Sequence, residues 1–520
     1  MKKNLLVSFV LLILVSGTLY FGVLNENLTV DTNSPKLITN EANSETVQGN
    51  INEYKINVQF NPGEKTFIAI EDVLYINKTG VELSEIYFHL YPNAFKTKET
   101  VPVLYSLEQA FPNGFDPGYI DIFNVKKDND QDQSLNYQVL GSDSTIMRVD
   151  LETPLQAGER IALNIAFKVT IPPSIERFGY GEGFFNLGNW YPIIAMYDET
   201  GWNLDPYYAI GDPFYSDIAN YDVTISVPQD YIVASSGDMV EEKLGEHQQK
   251  IYHFASKSMR DFAWVASNHF RVKEKRVDNI LLKTYSIEKD EDSNQLALNA
   301  AENSLKIFNQ QYGKYPYNTY SVVETNFAGG MEYPGIVFIS RQYYDKNYPS
   351  DYLEVVVVHE TAHQWWYATV GNDQIDEAWL DESFASYSEV VYFQNRYGNK
   401  IGNQYFEERV VASYERDKTQ LTSKDNTANE VILKSVNEFN GWSDYGPLVY
   451  RKGAILLNEL RNQVGDEQFF EILQNYYQQY QFKIANTKDF IQVVEEVTNN
   501  KWEPFFDEWL YGKPNEKSAS

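Results

Sequence analysis

Two of the six histidines in this 520-residue chain, His359 and His363, stand four residues apart in VVVVHETAHQWW, with Glu360 between them. On an α-helix, side chains at i and i+4 project from nearly one face, so both imidazoles can reach one ion and Glu360 lies at the edge of that face. This is the H-E-x-x-H pattern, in which two histidines bind zinc and the glutamate is the general base towards water. Neutral imidazole binds zinc at about 2.0 to 2.1 Å, a distance the spacing meets without strain. The chemistry indicated is metal-assisted hydrolysis. The four valines Val355–Val358 that enter the pattern favour strand, but each costs only a few tenths of a kcal/mol in a helix, so burial of that face overrides them.

A catalytic zinc site takes a third protein ligand. DEAWLDESFASYSEVVYF reads as a second helix: Trp379, Glu382, Ala385 or Ser386, and Phe393 recur at helical spacing, Asp376 and Glu377 open it, and Gly398 closes it. Glu382 follows His363 after eighteen intervening residues, enough chain for a turn and a return to the metal. Upstream, TNFAGGMEYPG groups Gly329, Gly330, Met331 and Glu332 after the strand-like YSVVET. Paired glycines let a backbone approach a ligand closely, and the adjacent carboxylate can hold a cation. Downstream, YGPLVYRKGAILLNELRNQVG reads as a helix with Pro447 near its first turn and Gly465 at its end.

HETAHQWW, the eighteen-residue gap and DESFASY together resemble the zinc signature of peptidase family M1. These are the aminopeptidase N-like gluzincin metallopeptidases, which also include bifunctional leukotriene hydrolases. The resemblance implies one Zn2+ per chain, held by His359, His363 and Glu382, with Glu360 as the base. GGMEY is similar to the family's G-x-M-E-N loop, which implies that Glu332 binds the free α-amino group of a peptide. Tyr333 stands where the family usually has Asn. VYRKGA is similar to the family's Y-x-K-G segment, whose tyrosine donates a hydrogen bond to the oxyanion; that role maps onto Tyr450, with Tyr445 the nearest rival among 39 tyrosines. GYGEGFFNLGNWYPI matches poorly the place where other aminopeptidases of the family carry a Gln and Glu, and Glu182 is the candidate there for a second acidic contact. The expected activity is removal of N-terminal residues from peptides. A zinc endopeptidase on the same core and a membrane-tethered peptide-binding protein without turnover are the alternatives. Cobalt or manganese would also suit a His2Glu set.

These residues need a scaffold, and the chain is long enough for two or three domains. The expected fold class is multidomain α+β. Alternating runs such as YKINVQF, TFIAIEDVLYIN and YDVTISVP make 53–270 a β-rich, mainly antiparallel domain, saddle-like by the resemblance. Residues 271–513 form the thermolysin-like, mainly helical zinc domain, and 514–520 a tail. MKKNLLVSFVLLILVSGTLYFGVL, residues 1–24, carries an apolar run from Leu5 to Leu24 that is long enough to span a bilayer, with Lys2 and Lys3 on the inner side. It reads as an uncleaved anchor placing the rest outside the cell, the alternative being secretion after cleavage. Residues 25–52 are polar and aperiodic and read as a linker. A net charge of −30 argues against nucleic acid and anionic lipid surfaces as partners. There is no cysteine, hence no disulfide. The oligomeric state is not legible.

Overall fold

Period-two burial builds the first half of the molecule. In Asn52–Asn61 and Ala219–Pro228 nearly every second side chain is buried, and the two strands pair in parallel, Asn52 opposite Ala219. All other pairings in their eight-stranded sheet are antiparallel. Its order is Asp238–Leu244, Gln249–Met259, Ala219–Pro228, Asn52–Asn61, Thr66–Ile76, Arg160–Thr170, Tyr119–Lys127, Gln133–Ser134. Two four-stranded sheets cover it, and one of them carries the hairpin Phe178–Gly181 with Phe184–Leu187. The computed structural model describes residues 51–103, 106–128, 133–287, 291–424 and 430–512. The expected anchor at 1–24, nearly all of the linker and the 514–520 tail lie outside the described residues. No described helix is long and apolar enough to cross a membrane.

One residue of the large sheet breaks the rule of apolar interiors. Glu71 is fully buried between Ile56 and Ile165, and neither carboxylate oxygen has a hydrogen-bond partner among the described residues. Burial, then the nearby Asp72, pushes its pKa well above the usual carboxylate range. A raised folded-state pKa means that stability falls as pH rises above the unfolded-state value of about 4.3. Glu71→Gln is therefore expected to raise Tm at neutral pH, with the gain shrinking as pH falls towards 4. Calorimetry across pH 4–8 checks this, and a pH-independent difference would refute it.

From Arg271 the pairing changes. A separate five-stranded sheet runs Arg271–Val277, Ile280–Ser286, Thr319–Thr325, Ile336–Ser340, Gly330–Met331. Helix α1 (Glu291–Gln311) crosses between the parallel strands Ile280–Ser286 and Thr319–Thr325. The edge strand is Gly330–Met331, antiparallel to Ile336–Ser340, and it delivers the Gly-Gly-Met-Glu loop to the rim of the sheet. Helices α2 (Ser350–Ala362) and α3 (Trp379–Tyr397) follow, and α3 is capped by Gly398 at φ 92°. The four valines are helical as expected: Val357 and Val358 are completely buried in the same apolar core as Trp379, Phe384 and Val391 of α3. The downstream helical stretch is continuous from Trp442 to Val464 but contains a π-helical segment, Gly446–Lys452, that carries Tyr450. Such wide turns often mark functional sites, because they shift one side chain out of helical register.

Candidate metal centre

His359 lies in the last turn of α2 and His363 is its C-cap residue, still in right-handed helical geometry. Glu382 sits in the first turn of α3. The structure brings the three together: His359 Nε2 is 3.1 Å from Glu382 Oε2, His363 Nε2 is 3.4 Å from the same oxygen, and the two Nε2 atoms are 3.2 Å apart. Ligand atoms on a tetrahedral zinc ion, at about 2.0 to 2.2 Å each, lie about 3.3 to 3.6 Å from one another. The outward nitrogens are already engaged. His363 Nδ1 faces the Trp366 carbonyl oxygen at 3.1 Å and His359 Nδ1 faces Glu389 Oε1 at 2.7 Å. Both of those oxygens only accept, so each Nδ1 carries the proton and each Nε2 turns a lone pair inward. Two lone pairs and a carboxylate converging at this distance in a buried place fit a divalent cation.

The electrostatics agree. Burial would lower the pKa of His363, yet Glu332 and Glu382 push it up to about 10. Glu382, although buried, is held well below the usual carboxylate range by His363 and His359. Positive charge is favoured where the imidazoles meet.

Glu360 is buried on the neighbouring face. Burial pushes its pKa up to about 8, with His359 opposing and Glu332 reinforcing the shift, and its Oε2 has no hydrogen-bond partner among the described residues. A Cβ at Gly330 would stand 1.9 Å from Glu360 Oε1, so the close approach of loop and carboxylate requires glycine there. Gly329 fixes the same loop through its carbonyl, which accepts from Ser340 N at 2.9 Å. Tyr450 stacks on the His359 ring, with centroids 5.7 Å apart, and donates its hydroxyl to Glu382 Oε1 at 2.5 Å. Tyr445, its rival, is completely buried behind it, edge-on at 5.9 Å, and its hydroxyl meets no partner among the described residues. A cavity of about 440 Å³ is lined by Tyr450, Glu389, Trp442 and Arg451.

Glu332 is 3% exposed and takes a hydrogen bond from Gln374 Nε2, whose amide also reaches Asp381. Its oxygens lie within 4.8 Å of those of Asp212 and Glu382, forming a buried acidic trio. Asp212 is paired with the buried Arg177, yet burial and then Glu332 hold its pKa well above the usual carboxylate range. Three carboxylates share one space with a single guanidinium beside them, Arg177, which pairs with Asp212 and also feels Glu332, and this makes a second place that favours a cation.

Glu182, the sequence candidate for a second acidic contact, pairs elsewhere. It sits at φ 53° in the tight turn of the Phe178–Leu187 hairpin, half exposed, and its carboxylate pairs with Arg341 at 2.9 Å. Its carboxylate is not among those grouped with Glu332, where Asp212 stands instead. Sequence reading missed Asp212 because YAIGDPFYSD is an irregular, aromatic-rich loop without a period to mark an inward residue. Glu389 was also missed, although a signal existed: it follows Glu382 by seven residues, two helical turns along the same face.

Comparison with known proteins is consistent with this geometry. Residues 296–509 match the model of the peptidase family M1 domain. The chain is 27% identical over 207 residues to aminopeptidase N of Streptomyces lividans, covering 38% of this chain and 23% of that protein. It is 28% identical over 237 residues to aminopeptidase N of Lactococcus lactis, covering 42% and 26%. The chain thus spans about a quarter of the length of these relatives. The fold matches an M1 zinc metallopeptidase from Deinococcus radiodurans with TM-score 0.59 and 17% identity, over 89% of this chain and 94% of that one. All three convergent ligands, His359, His363 and Glu382, lie inside the segment that matches the peptidase family M1 domain.

Proposed function

We propose that the protein is a zinc aminopeptidase, using one Zn2+ held by His359, His363 and Glu382 to remove N-terminal residues from peptides. The observation that carries this is the pairing of two cation-favouring places, the His-His-Glu convergence and the Asp212–Glu332–Glu382 trio, joined at Glu382. Zinc in such a set supplies Lewis acidity, bringing the pKa of water to about 7 and polarising a carbonyl. Glu360 takes the proton of the attacking water and passes it to the leaving amine, a role its unpartnered Oε2 leaves it free to fill. Tyr450 swings its hydroxyl from Glu382 to the carbonyl oxygen as negative charge develops there. Glu332 and Asp212 hold the substrate's ammonium group, so only the first peptide bond reaches Glu360. The likeness to a mutant of the Deinococcus radiodurans enzyme solved with a Tyr-Ser-Ala substrate supports a peptide as the occupant. The apolar run from Leu5 to Leu24 after Lys2 and Lys3 supports tethering of this activity to the outer face of a membrane.

The test presents the zinc-loaded protein with Leu, Ala, Arg and Glu aminoacyl reporter amides beside an N-acetylated peptide library read by mass spectrometry. Release from free amines alone supports the proposal and ranks side-chain preference. Internal cleavage of blocked peptides means an endopeptidase, and silence in both assays means a binding protein. Asp212→Asn should raise KM for the free-amine reporters by about 1.5 to 3 kcal/mol, roughly ten- to a hundredfold, the usual worth of a hydrogen bond to a charged group. An unchanged KM would leave Asp212 only as the counterion of Arg177.

A further inference from the structure

Tyr333 follows Glu332 in the Gly-Gly-Met-Glu loop, and Gly188–Tyr191 lies in the β-rich half. The structure joins the two segments. The Tyr333 ring is fully buried, not among the helices but in the apolar core of the β-rich half, with Trp190, Tyr191 and Phe262. Its hydroxyl donates to Asn189 Oδ1 at 2.8 Å, a contact 144 residues apart in sequence. Gly188 makes the room: a Cβ there would lie 1.9 Å from the Tyr333 hydroxyl. Asn189 is itself fixed, because its Nδ2 donates to Asp261 Oδ2 at 2.7 Å, while Asp261 Oδ1 accepts from Tyr191 Oη and from the Phe262 amide. A carboxylate only accepts, so the Asn189 amide must donate to it and present its carbonyl oxygen to Tyr333.

The other side of the loop is clamped as well. Gln364, next to the ligand His363, donates to the Glu332 and Tyr333 carbonyl oxygens at 3.4 and 3.3 Å and accepts from Gly335 N at 2.8 Å. Met331 is met by Arg177 Nε at 3.0 Å from its sulfur. Glu332 is thus held between the metal-binding helix and the β-rich half, and its neighbour in sequence carries the tie across.

We infer that Tyr333 is a positioning residue: its bond to Asn189 sets how far the Glu332 carboxylate projects beside the metal ligands. Tyr333 and the 188–191 segment are then determinants of the preference for substrates with a free amino terminus. This rests on the reading of Glu332 as an anchor for the substrate amine.

The experiment uses Tyr333→Phe, Asn189→Ala, the double variant, and Glu332→Ala, each with its metal content measured. KM and kcat are compared for a leucyl reporter amide and its 4-methylpentanoyl analogue, which lacks only the amine, and hydrogen exchange is followed over 329–335. Tyr333→Phe should raise KM for the leucyl substrate on the order of tenfold, with a smaller change in kcat and a smaller change on the desamino analogue. The double variant should be no worse than either single one, because both remove the same contact. Amides at 329–335 should exchange faster while those of α2 keep their protection. Equal losses on both substrates, or unchanged exchange at 329–335, would show Tyr333 to be ordinary packing and overturn the inference. If Glu332→Ala keeps the full preference for the amine, it is the amine reading that fails, and exchange at 329–335 alone then decides whether Tyr333 positions the loop.

Discussion

Glu360→Gln should lower kcat for aminoacyl amides by about 10²- to 10⁴-fold, the usual contribution of a positioned general base. KM and metal content should stay near those of the unaltered protein. The substitution keeps the volume of a side chain that fits against Gly330 with no room to spare, and it removes only the ability to take a proton. The carboxylate is buried at the edge of the ligand set, has an oxygen without a hydrogen-bond partner among the described residues, and does not itself complete the His-His-Glu convergence. Loss of rate without loss of metal therefore separates the base from a ligand. Steady-state kinetics with metal analysis by mass spectrometry make the comparison. Retention of more than about a tenth of the rate would rule Glu360 out as the base, since general-base contributions start near 10²-fold.

Removing a ligand should act the other way round. His363→Ala is expected to take metal content to background and activity with it, because two donors cannot hold a catalytic zinc that normally has three. The supporting residue Glu389 gives a graded companion. It accepts from His359 Nδ1 and, through its other oxygen, from the Tyr405 hydroxyl. Glu389→Ala leaves all three ligands but frees the His359 ring, and such outer partners typically change metal affinity or activity by about 10- to 100-fold. Chelator competition gives the affinity of each variant. An intact affinity in His363→Ala would mean that the ligand set is drawn from other members of the acidic cluster.

How much of this was legible depended on where each interaction lies along the chain. The pairing of His359 with His363 is written in helical geometry alone, since four residues return a side chain to the same face wherever the helix is placed. Glu382 could be read because it opens a second amphipathic helix. Tyr450 and Glu332 rested on similarity to a family's segments, and their place beside the ligands appears only when Glu382 Oε1 meets the Tyr450 hydroxyl and Gln374 reaches Glu332. Within that similarity only the flanking Lys452 and Gly453 favoured Tyr450 over Tyr445. In the structure the π-helical turn sets the Tyr450 ring on His359 and leaves Tyr445 in the core.

The β-rich character of the first half and the helices of the second followed from burial periods of two and 3.6, which are properties of short segments. Asp212 for Glu182, and Asn189 for the orientation of Tyr333, were not local matters. Glu182 lies in a tight turn whose backbone turns it to Arg341, whereas Asp212 comes from an irregular loop drawn in by Arg177 and the aromatic rings of Phe214 and Phe327 around it. Sequence by itself determined which chemistry this protein can hold, because ligand type and helical spacing are encoded within a few residues. The tertiary structure alone decided which carboxylates share the buried space and which tyrosine faces it, because those contacts join segments from 50 to 170 residues apart through packing that no local pattern specifies.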